Sequence, residues 1–78
     1  MTRLEKLVER IKARPPEADF GDVVRLLEAF GYEQKRQEGS HTSVKKRGER
    51  TIIVPTVKGR RVKRVYLDLI CERLGLDD

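Results

Sequence analysis

Tryptophan is missing from this chain, and cysteine, histidine and methionine each occur once. A single cysteine excludes an intramolecular disulfide framework and a multi-cysteine metal centre. One Cys with one His is also too few for a structural zinc. Hydrophobic residues make up only 37% of the sequence and form no run of transmembrane length. The first sixteen residues, MTRLEKLVERIKARPP, lack the uninterrupted apolar core of a signal peptide. A cytoplasmic, reduced setting is therefore expected, with no membrane partner. Repeats, linkers and low-complexity tracts are absent too, and 78 residues is the size of one domain. A core this small must use its few apolar residues efficiently.

Charge is what the chain has in abundance. Asp, Glu, Lys and Arg make up 40% of it, with a net charge of +5. The distribution is uneven: residues 1–34 carry −1, residues 35–65 carry +9 and residues 66–78 carry −3. A positive field concentrated in one segment favours a polyanion, and nucleic acid is the usual one. The plain alternative is a solvated, soluble surface.

The apolar residues give the order of elements. Leu4, Leu7, Val8 and Ile11 recur at helical spacing. Pro15 and Pro16 end that helix, because proline lacks the amide and disfavours helix in the residue before it. Phe20, Val23, Val24, Leu27 and Phe30 mark a second helix, with Asp19 as its N-cap, Asp22 in its first turn and Gly31 beyond its end. From Tyr32 the period changes. YEQKRQ, HTSVKKR and TIIVPTV read as three strands, separated by EGS and RGE, whose glycines suit hairpin turns. Pro55 fits the end or edge of the third strand. Val62, Val65, Tyr66, Leu69, Ile70 and Leu74 predict a last helix with these residues on one face, stopped by Gly75. The predicted fold is α+β, ordered α-α-β-β-β-α, with the helices packed on one face of a three-stranded antiparallel sheet. Residues 1–16 read as an added helix and Pro-Pro turn ahead of a core spanning 17–78.

Alternation along the second strand points its histidine. Thr42, Val44 and Lys46 share one face, and His41, Ser43, Lys45 and Arg47 share the other. Val44 is the only strongly apolar residue of the segment, so its face should meet the helices and His41 should project to solvent. Beside Lys45 and Arg47, an imidazole suits proton transfer during attack of an RNA 2′-hydroxyl on its phosphodiester, while the cations stabilise the added negative charge. Such a substrate supplies its own nucleophile, so the chemistry needs no metal or other cofactor. The residues alone leave catalysis and a plain surface histidine both open.

The stretch LLEAFGYEQKRQEGSHTSVKKRGERTIIVP, followed by a terminal helix ending LGL, resembles the HicA-type toxins of bacterial toxin–antitoxin pairs. The shared pattern is a helix ending in Gly-aromatic, a strand, Gly-Ser-His, a second strand, a short turn, an apolar strand ending Val-Pro and a closing helix. It covers roughly residues 23–76. The resemblance implies a double-stranded-RNA-binding-domain-like fold, metal-free mRNA endoribonuclease activity, and neutralisation by a HicB-type antitoxin that covers the active face. It places the family's catalytic histidine on His41, the turn-shaping glycine on Gly39 and the small polar residue on Ser40. Two features depart from the pattern. Thr56 and Val57 stand where many members carry a second histidine, which leaves a Lys, Tyr66 or water as the second proton-transfer partner. The leading helix and ARPPEAD lie outside the minimal toxin, as a packing supplement, a homodimer surface or an antitoxin contact.

Among the other residues, Lys45, Lys46 and Arg47 read as phosphate contacts or as a solvated turn. Arg60, Arg61, Lys63 and Arg64 stand before or at the start of the last helix, where cations oppose the helix dipole, which favours a bound anion such as RNA phosphate. Tyr66 could stack on a base, but its place in the apolar stripe favours the core. Ser40 is not read as a nucleophile, because no Asp or Glu stands ready to orient His41. Cys71 reads as a small helix residue with no redox role. The leading expectation is a toxin that binds and cleaves mRNA through His41. The alternatives are a non-catalytic RNA- or DNA-binding module of the same fold and a partner-binding regulatory subunit.

Overall fold

Local chemistry starts the first helix before any tertiary contact is needed. In the computed structural model, which describes residues 2–77, Thr2 and Glu5 form a reciprocal capping box. The Glu5 amide donates to the Thr2 hydroxyl at 3.1 Å, and the Thr2 amide donates to the Glu5 carboxylate at 2.9 Å. The Thr2 amide first, and the Thr2 hydroxyl second, hold the Glu5 carboxyl below its usual value. The helix, α1, spans Arg3–Lys12. It is followed by β1 (Glu17–Asp19), α2 (Phe20–Ala29), β2 (Glu33–Glu38), β3 (His41–Lys45), β4 (Ile52–Pro55), β5 (Arg61–Lys63) and α3 (Arg64–Leu74).

The expected order is present, with two short strands added. β2, β3 and β4 form a three-stranded antiparallel sheet with β3 in the middle. Val44, Ile52 and Val54 point from it into a core shared with Ile11, Phe20, Val23, Leu26, Leu27, Leu67 and Ile70 of the helices. The helices therefore lie against one face, in a double-stranded-RNA-binding-domain-like arrangement. β1 and β5 make a separate antiparallel pair in which Ala18 faces Val62. Both of these residues are buried.

That pair corrects the reading of the last helix. Val62 is buried as a strand residue, and α3 begins only at Arg64. The helix then buries Leu67, Ile70 and Cys71 and leaves Val65 62% and Leu69 40% exposed. α3 carries apolar residues on two faces, so periodicity alone cannot choose between them. The Ala18–Val62 pairing sets where the helix starts and hence which face turns inward. α2 follows expectation more closely, although Asp19 occupies the N-cap position without a side-chain cap bond. The Asp22 carboxylate instead accepts from Arg10 at 3.0 Å and Arg25 at 3.1 Å.

The leading segment is fastened to the rest of the chain. Arg14 adopts a left-handed backbone conformation with φ +54°. Its guanidinium pairs with Asp68 at 2.6 Å and Asp77 at 2.7 Å. Its carbonyl accepts from the Arg64 side chain at 2.9 Å. Both carboxylates hold the Arg14 guanidinium still more firmly in its charged form. The turn after α1 is thus tied to the first two turns of α3 and to Asp77 beyond its end.

Candidate functional site

The turn between β2 and β3 is built around one glycine. Glu38 and His41 face each other across two residues, Gly39 and Ser40. Gly39 has φ +58°, the conformation that a two-residue hairpin asks of glycine and that a Cβ would penalise. The Gln37 side chain donates to the Gly39 carbonyl at 3.3 Å. The Ser40 carbonyl accepts from the Thr56 amide at 2.8 Å and from the Thr56 hydroxyl at 3.3 Å. Position 56, where the resemblance leads one to look for a second histidine, therefore lies beside the His41 turn. Its threonine braces that turn.

β3 divides as alternation requires. Thr42 and Val44 are 2% and 1% exposed, against the helices. His41 and Lys45 are exposed and Ser43 is half-buried on the opposite face. Arg47 lies beyond the strand, in the turn before β4, so it is not on that face by register. No helix covers His41. Its cross-strand neighbours are Glu38 on one side and Pro55 on the other. One row along, Ser43 sits between Arg36 and Ile53. The open face is thus charged along β2 and apolar along β4, where Ile53 is 45% exposed.

Three of these neighbours escaped the sequence reading. Glu38 faces His41 across the β2–β3 pair, but its carboxylate pairs with Arg36. Its Oε1 is 2.7 Å from Arg36 Nη2. Arg36 shares the face of His41 because the pairing stays regular from Glu38 to Arg36; the register shifts only between Gln34 and Arg36. Ile53 is apolar and exposed beside them. Every residue of β2 is exposed, so no buried residue betrays its phase. The only usable signal was the two-residue turn, from which register can be counted outward.

The predicted cationic residues fall into two groups of different character. Lys45, Lys46 and Arg47 border a shallow depression of about 330 Å³ with Gly31, Glu33 and Lys35. The Lys46 ammonium lies 5.8 Å from the Tyr32 ring centre, and the Glu33 carboxyl is held below its usual range by Lys35 at 2.8 Å. Arg61, Lys63 and Arg64 border a second depression of about 590 Å³ beside Pro16 and Glu17. Several members of this second group already have intramolecular work. The Arg60 guanidinium lies 4.7 Å from the Phe20 ring centre. Arg61 approaches the Glu17 carboxylate at 3.8 Å and donates to its carbonyl at 3.3 Å. Arg64 donates to Arg14 as described. Lys63 is exposed at the N-cap of α3. A short ladder links this group to the histidine turn: Thr56 bonds Ser40, and the next amide, that of Val57, donates to the Arg61 carbonyl at 2.8 Å.

Two other candidates differ in burial. Tyr66 is half-buried against the core. Cys71 is fully buried, and burial pushes its thiol pKa up, which disfavours the reactive thiolate. Among the described residues no three His, Cys, Asp or Glu side chains converge as a metal site, and no helix is long and apolar enough to cross a membrane.

Comparison with known families agrees with this arrangement. A family model described as the HicA toxin of bacterial toxin–antitoxin systems matches residues 20–76. The match takes in α2, the three-stranded sheet and α3, and leaves α1 and β1 outside. No match was found among curated proteins or among solved structures.

Proposed function

The chain belongs to the HicA toxin family of bacterial toxin–antitoxin systems, and on that premise we propose that it binds mRNA on the open face of its sheet and cleaves it through His41. The observation that carries the proposal is the placement of His41: exposed, uncovered by any helix, and flanked on its own face by Arg36, Ser43 and Lys45. Membership of a toxin–antitoxin family implies an antitoxin partner, and in this reading a HicB-type antitoxin covers that same face.

The reaction follows from the substrate's chemistry. The 2′-oxygen of one nucleotide bonds to the adjacent phosphorus, and the bond from phosphorus to the 5′-oxygen breaks. The 2′-hydroxyl proton is lost and a proton ends on the departing oxygen. His41 carries a proton at one of these two ends, and nearby cations offset the charge that grows on the phosphoryl oxygens. Thr56 holds the Ser40 carbonyl and so steadies the peptide that presents His41.

A second reading is a binding module of the same fold that does not cleave. It is favoured by one observation: the residue beside the turn at position 56 is a threonine engaged with backbone, which offers no second imidazole. Induced expression of wild type and His41→Ala separates the two. Catalysis requires that wild type arrest growth and degrade mRNA and that His41→Ala do neither. RNA binding by the purified variant should persist. Degradation by His41→Ala at the wild-type rate would sink the catalytic proposal.

A further inference from the structure

By register across β2 and β3, Arg36 stands closer to the histidine than Lys45 does. Lys45 shares the face of His41 but lies four residues along β3, roughly 13 Å away at about 3.3 Å per residue. Arg36 is diagonal to His41 across the β2–β3 pair, since it faces Ser43 while Glu38 faces His41. Directly opposed side chains begin about 5 Å apart and diagonal ones about 7–8 Å apart, a gap that an arginine spans. Arg36 is also held. Its Nη2 meets Glu38 Oε1 at 2.7 Å, although the two side chains are 75% and 67% exposed. An exposed pair of this kind adds little to stability, and any consequence it has is for the direction in which the guanidinium extends. It draws Arg36 along β2 toward the row that contains His41.

We propose that Arg36 is the phosphate clamp of the His41 site and that Glu38 is the residue that positions it, an inference that rests on the mRNA-cleaving reading above. A guanidinium has five N–H donors, and an ion pair with one carboxylate oxygen of Glu38 leaves most of them free. The remaining donors form a planar fork suited to two phosphoryl oxygens at once. As the 2′-oxygen adds to phosphorus, negative charge accumulates on those oxygens, and a fixed fork binds the transition state more strongly than the ground state. Glu38 acts through Arg36. Lys45 then serves the flanking phosphates, where a mobile point charge is enough.

The test is a double-mutant cycle on purified protein. Its readouts are the single-turnover cleavage rate of a short mixed-sequence single-stranded RNA and the Kd for the same RNA carrying 2′-O-methyl at every residue, which cannot react. Arg36→Ala should slow cleavage about 100-fold, as loss of a transition-state donor does. It should weaken binding less than about threefold, because the other cations of the face still hold their phosphates. Arg36→Lys keeps the charge without the fork and should fall between wild type and Arg36→Ala. Glu38→Gln should slow cleavage about 10-fold in the wild-type background and less than about twofold in Arg36→Ala, the mark of residues acting as one unit. All three substitutions replace exposed groups, so thermal midpoints should stay at the wild-type value. Wild-type cleavage by Arg36→Ala, or a Glu38→Gln effect undiminished in the double variant, would overturn the inference. Measuring His41→Ala alongside separates the layers. If His41 is required and Arg36 is not, only the clamp fails; if neither is required, the cleaving reading fails with it.

Discussion

The two faces of β3 meet different surroundings although they lie only one residue apart. Thr42 and Val44 are sealed against the helices, whereas His41 and Lys45 are exposed and Ser43 half-buried on the opposite face. The inner face is held by packing and by burial of apolar area. The outer face has no such demand on it. A histidine on β3 with an arginine and a glutamate in register beside it on β2 is not explained by the core, so in the proposed function stability and chemistry fall to opposite faces of the sheet. The comparison can be tested by substituting one face at a time.

The largest effect is expected from the outer face. His41→Ala should lower RNA cleavage by about 10²–10⁴-fold, the usual contribution of a general acid or base. Its thermal midpoint should match wild type, because the side chain is exposed. Loss of rate accompanied by a collapse in stability would show that the faces are not independent. The next effect belongs to the inner face. Val44→Ala removes two methyl groups from a site 1% exposed and should cost about 2–3 kcal/mol in denaturant unfolding. Below the unfolding transition, cleavage per folded molecule should be retained. Inactivation of the fully folded variant would break the separation of the two faces.

That separation was legible in the sequence because Val44 is the one strongly apolar residue in its segment, and a period of two leaves His41 only one direction. β2 offered no such anchor: with every residue polar and exposed, neither Arg36 nor Glu38 could be assigned a face until the turn fixed the register. β1 was hidden for another reason. Its three residues pair with Arg61–Lys63, more than forty positions away, and Asp19 looked like a helix cap and nothing else. The same distant pairing governs α3. Val65 and Leu69 obey the helical period as well as Leu67 and Cys71 do, so the choice between them depends on Val62 being held opposite Ala18. Local pattern therefore revealed the parts whose signal is local. Elements decided by long-range pairing were out of its reach.

The cationic groups extend the comparison beyond β3, with a smaller expected effect. Lys45 and Arg47 border an open depression, while Arg61 and Arg64 also bind Glu17 and the Arg14 carbonyl. Replacing Lys45 and Arg47 by Ala should weaken binding of the non-reactive RNA. It should also reduce the slope of log Kd against log salt by about one for each phosphate left without its cation. The thermal midpoint should not move. Replacing Arg61 and Arg64 should lower the thermal midpoint as well, because those side chains also fasten β1 and the α1 turn. An unchanged salt slope in the first pair would remove Lys45 and Arg47 from the RNA surface.

The smallest effect is expected at the far end of the molecule, in the helix that the family match leaves out. Thr2→Ala removes the hydroxyl that the Glu5 amide donates to and should cost about 1 kcal/mol of stability. Acidification should release the same cap. The Glu5 carboxyl is held below its usual range, so its contribution is present above the unfolded carboxylate pKa and is lost as pH falls through the lower, folded value. Amide chemical shifts of residues 2 and 5 should change together through that acidic window in wild type. In Thr2→Ala the change should be smaller, because the residue 2 amide still donates to the Glu5 carboxylate while the hydroxyl is gone. RNA cleavage near neutral pH should be the same in both proteins, since α1 packs on α2 and α3 and contributes nothing to the open face of the sheet. A slower Thr2→Ala enzyme would mean that α1 reaches the histidine through α3 and the Arg14 ties, and the division between a structural layer and a chemical one would have to be redrawn around that connection.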